Sequence, residues 1–62
     1  MISLEEKAQI KSLHLSAMER RLYALQLDHI GAEAAGDAKS CKELGTQIEA
    51  LIKAIEAVEE RG

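Results

Sequence analysis

His29 and Cys41 are the residues of this 62-residue chain whose chemistry is most easily put to use, and Asp28 sits beside the first of them. A chain that doubles back near residue 36 brings this imidazole and thiol face to face. That is the start of an activated nucleophile or a metal site. Neither is completed by what surrounds them. No third ligand of suitable type recurs at helical spacing, no glycine-rich loop offers amides to a phosphate, and nothing in the pattern builds a concave scaffold. The pair therefore reads as a histidine and a small hydrophobe packed where a hairpin narrows. His14 falls near the edge of an apolar stripe, as a surface residue. Glu5, Glu6, Glu56, Glu59 and Glu60 read as solvated helix ends, with nothing beside them to tune a carboxyl for acid–base work. The expectation is a protein that is not an enzyme, with no catalytic, cofactor-binding or metal-ligating residue.

The elements that carry these residues are helical. Pro, Trp, Phe and Asn are absent, and Ala, Leu, Glu, Lys, Ile and Gln dominate, the composition of a long helix or coiled coil. Ser3 followed by Glu6 forms a capping box that starts helix 1 at about residue 3. With no proline to stop it, the periodic pattern runs to about Ala35, past Gly31. Gly36 supplies a left-handed helix-closing residue and Asp37 caps the next helix, so the turn lies at about 36–37. Helix 2 spans about 38–60 and carries the cleanest heptad: Cys41, Leu44, Ile48, Leu51, Ile55 and Val58, widened by Ala38 and Ile52. Gly45 within it marks a place of close packing. Glu49 and Lys53 are spaced for an i to i+4 ion pair.

Helix 1 is apolar on two faces. Leu4, Ala8, Leu15, Met18, Leu22 and Leu25 line one stripe, which the antiparallel second helix covers. Facing residues then have numbers totalling roughly 70, with Leu22 opposite Ile48, Leu15 opposite Ile55 and Ala32 opposite Ala38. Lys11 interrupts the stripe near the open end, its stem lying on Val58 and its charge reaching water. Ile10, Leu13, Ala17, Ala24 and Leu27 form a second row roughly opposite, and this hairpin has nothing left to cover it. Those five residues are the expected partner interface.

Size and charge narrow the partner. A chain this short is marginally stable unless stapled or assembled, and a single cysteine excludes an internal disulfide. A net charge of −3 does not favour phosphate backbones or anionic membranes, and the basic residues of helix 1 are too scattered to track a nucleic acid. Met1-Ile2-Ser3-Leu4-Glu5-Glu6 carries early acids and opens no apolar run of signal-peptide or membrane-span length, so a cytoplasmic location is expected.

Three stretches resemble one known family. Leu4-Glu5-Glu6 at the start, Gly36-Asp37-Ala38-Lys39 at the turn, and Ala50-Leu51 with Ala54-Ile55 in helix 2 are similar to the small E subunits of type III secretion needle chaperones (YscE/PscE/AscE-like). The resemblance spans nearly the whole chain. It implies a bacterial cytoplasmic co-chaperone, folded as a helical hairpin, that binds and stabilises a larger helical-repeat chaperone subunit. The pair would keep the needle subunit monomeric before export. The fold expected on both grounds is all-α: an antiparallel two-helix hairpin completed by a partner chain. A homodimeric four-helix-bundle regulatory or adaptor protein is the competing reading, since the uncovered row can be buried against a second copy.

Overall fold

The computed structural model describes residues 1–62 as two helices, α1 (Leu4–Ala34) and α2 (Ala38–Arg61), packed as a hairpin with no strand. The particle measures 50 × 15 × 13 Å, the length of α1 by the thickness of two helices.

Each end of α1 is fixed by local chemistry. Ser3, in extended conformation, accepts the Glu6 amide on its side-chain oxygen at 3.1 Å, which satisfies one orphan donor of the first turn. Only this half of the capping box forms. At the other end Gly36 adopts φ 70°, the one positive φ in the chain. The Asp37 amide then donates to the Ala32 carbonyl at 3.0 Å and the Gly36 amide to Glu33 at 3.1 Å, the paired bonds of a Schellman closure. Helix continues through Gly31, as its flanking alanines lead one to expect.

Asp37 ends one helix and starts the next. Its carboxylate accepts the Ser40 amide at 3.1 Å and the Ser40 hydroxyl at 2.7 Å. Those hydrogen bonds, the hydroxyl's first, hold the carboxyl's pKa below its ordinary value.

Lys11 sets the register. Its ammonium donates to the Glu59 carbonyl at 3.0 Å, which fixes facing residues at numbers totalling about 70. All six heptad positions of α2 are covered: Ile55 is buried and Cys41, Leu44, Ile48, Leu51 and Val58 are half-buried. On α1 the covered stripe is Lys11, Leu15, Met18, Leu22, Leu25, His29 and Ala32, with Leu25 fully buried.

The structure corrects the stripe at its edges. Leu4 is 84 % exposed and Ala8 is also exposed. The reason is length: α1 has 31 residues and α2 has 24, and in this register Arg61 ends opposite the second turn of α1. Ala38 and Ile52 do not widen the α2 stripe, since both are exposed. Gly45 is not a point of close packing, because a Cβ placed there would meet nothing within 4 Å. Glu49 and Lys53 do not close into an ion pair; the one short contact between a basic side chain and a carboxylate is that of His29 with Glu33.

Candidate functional site

The core is small. Leu25 and Ile55 are the only residues below one-tenth exposure, at 8 % each. A fully buried aliphatic side chain contributes about 1.5 to 3 kcal/mol, while fixing each backbone residue costs about 1 to 2 kcal/mol, so two such residues leave a hairpin with little margin. The apolar surface that remains is therefore the feature to be explained.

That surface lies along α1. The apolar side chains of α1 are spread around its circumference and nearly cancel, whereas those of α2 gather on one side. Ile10, Leu13, Ala17, Ala24 and Leu27 are all exposed, Leu13 most of the large ones at 74 %. Helical geometry puts the row nearly opposite the stripe that meets α2. The five residues named from the sequence thus share one uncovered face.

The face is larger than the sequence reading made it. Tyr23 and Ile30 are 63 % and 61 % exposed, and they flank Leu27 at four residues before and three after. That spacing was the available signal: it places both against Leu27 on the helix surface, on the edge of the row nearer the turn. Met1, Ile2 and Leu4 add a second exposed apolar group at the far end.

Arg21 and Asp28 border the opposite edge of the row. Neither has a charged residue three or four positions away in its own helix, and neither takes part in an ion pair. An apolar strip edged by a cation and an anion without partners suits docking of a helix, since isolated surface apolar residues need no explanation but a contiguous row does.

The residues with catalytic potential are engaged differently. His29 Nδ1 lies 2.7 Å from Glu33 Oε1, one turn along its own helix. Cys41 is a free, half-buried thiol at the facing level of α2. No group of three His, Cys, Asp or Glu side chains converges as a metal site would require. Surface depressions lie over Ala57–Val58, over Ala8–Leu15 and beside Lys42–Gln47, and none includes His29 or Cys41. His14 and the five terminal glutamates are exposed. Neither helix is long and apolar enough to cross a membrane.

No family model, curated protein or solved structure matches this chain.

Proposed function

We propose that the chain is a noncatalytic helical adaptor, a co-chaperone that lends the outer face of α1 to a helical partner. One observation carries the reading: Leu13, Tyr23, Leu27 and Ile30 stand exposed on the outer side of α1 in a hairpin that buries only Leu25 and Ile55. Joining a partner covers surface that both chains otherwise expose to aggregation, and linkage passes the binding free energy to the hairpin as stability.

The finer identity rests on the sequence resemblance alone. Leu4-Glu5-Glu6, Gly36-Asp37-Ala38-Lys39 and the Ala-Leu and Ala-Ile pairs of α2 resemble the small subunits of type III secretion needle chaperones. On that basis the partner is the larger helical-repeat subunit, in the bacterial cytoplasm, and the pair holds the needle subunit monomeric until export. This chain need not touch the needle subunit itself.

Coexpression with neighbouring gene products tests both levels. A helical partner that copurifies and raises the melting temperature of the hairpin supports the adaptor, and copurification of an export-competent, monomeric needle subunit supports the secretion role. A hairpin whose stability no neighbouring product changes would sink both.

A further inference from the structure

The exposed row has an order that its five large and small members only begin to show. Continued in alternating steps of three and four, Ile10, Leu13, Ala17, Ala24 and Leu27 take in Arg20, Gly31 and Ala34, so that one unbroken heptad seam runs down α1. Every one of these residues is exposed. Tyr23 and Ile30 flank the seam on one side, and Arg21 and Asp28 on the other.

We propose that a second copy of this chain docks on that seam, α1 against α1, antiparallel about a twofold axis. A twofold interface is self-complementary: whatever one residue faces, its mate faces in return. With facing seam residues numbered to a total of about 51, each class of residue meets its complement. Leu27 packs on the partner's Ala24, and Ala17 on the partner's Ala34. Arg20 falls on the partner's Gly31, where a Cβ would have open space and the arginine stem has room to lie. Along one edge Tyr23 meets the partner's Ile30, and along the other Arg21 meets the partner's Asp28. Each pairing occurs twice.

Charge selects this register over its neighbour. Sliding by one heptad covers Ile10 and Leu13 but sets Arg21 against the partner's Arg21 at the axis, a like-charge contact beside an apolar seam. Arg21 and Asp28 cannot satisfy each other within one chain, being seven residues and about 10 Å apart along the helix. Because the seam lies nearly opposite the stripe that meets α2, the two hairpins join as a flat layer in the order α2, α1, α1, α2. The pairing rests on the seam itself, whatever the identity of the partner proposed above. It occupies that partner's surface, so the dimer is a resting form that partner binding must open.

Charge reversal on the full chain tests the pairing, read by sedimentation equilibrium over a concentration series with far-UV circular dichroism alongside. The wild-type chain should dimerise reversibly. Arg21→Glu and Asp28→Arg should each weaken dimerisation about tenfold or more, since each sets two like-charge pairs across the axis. The double variant R21E/D28R should return to within about threefold of wild type. Mixing the two single variants should also restore a dimer, because the introduced carboxylate of one then faces the introduced guanidinium of the other, and native Asp28 faces native Arg21. A single variant that loses helix on its own should regain it in that mixture. A wild-type chain monomeric up to roughly 1 mM would overturn the proposal. Single variants that dimerise as tightly as wild type would remove the seam from the interface. Failure of both the double variant and the mixture to recover the dimer would overturn the antiparallel register.

Discussion

The Lys11 ammonium and the Glu59 backbone carbonyl meet at 3.0 Å across 48 positions of chain, the one side-chain hydrogen bond that joins the two helices. It places a cation on an orphan carbonyl in the last turn of α2, where the helix dipole also favours positive charge. The contact ties the open end of the hairpin, opposite the turn.

Lys11→Met keeps the apolar stem and removes only the donor and charge. Thermal unfolding should show a loss of about 0.5 to 1.5 kcal/mol, the usual net worth of one hydrogen bond, since water reaches this one. Lys11→Glu should cost more than Lys11→Met, because it sets a carboxylate on the carbonyl end of α2. A Lys11→Met variant that melts at the same temperature as the parent chain would mean that the bond contributes nothing at this site.

Gly45 offers the opposite result. Register places it across from Leu25, yet a Cβ there meets nothing within 4 Å and its backbone is ordinary helix. Gly45→Ala should therefore stabilise the hairpin by about 1 kcal/mol through helix propensity and a smaller entropy loss on folding. An unchanged or lowered melting temperature would show that α1 approaches α2 more closely than this geometry allows.

Asp37 gives the turn a dependence on pH. The two Ser40 hydrogen bonds lower its pKa from an ordinary 3.8, so the folded chain holds the carboxyl in its charged form more firmly than the unfolded chain does. Its contribution to stability is complete above the unfolded value and is lost as pH falls through the lower, folded one. Asp37→Asn caps a helix comparably but does not titrate. Unfolding midpoints of that variant should fall less steeply below pH 4 than those of the parent chain, and parallel acid limbs would dissociate the cap from the pH response.

How much could be read in advance follows from how local each determinant is. Ser3, Gly36 and Asp37 act on amides within a few residues, and their roles are written in their types and spacing. The α2 heptad was legible for a similar reason: six residues on one side of one helix can meet only one neighbour. Leu4 was not, because its exposure depends on where α2 ends relative to α1, a relation between distant segments. Tyr23 and Ile30 fall outside the strict row of alternating three- and four-residue steps, and only their positions around Leu27 on the helix surface widen it. Gly45 misled because glycine in a helix carries no record of whether the space above it is filled or open.

Leu13 and Leu27 separate the two uses of the α1 face. Both are exposed, at 74 % and 49 %, so glutamate at either position meets solvent in the isolated hairpin and should leave its helical signal intact. Leu27 lies in the middle of the paired seam, facing the partner's Ala24, and Leu27→Glu should abolish self-association and partner binding together. Leu13 lies beyond the stretch of α1 that a second copy covers in the same register. Leu13→Glu should therefore leave the dimer within a few tenths of a kcal/mol of wild type while a helical partner that spans the whole row is lost. Sedimentation and pull-down on the two variants read these outcomes independently. A dimer destroyed by Leu13→Glu would move the self-pairing toward the open end of the hairpin, and a partner retained by both variants would place its binding site off this face of α1.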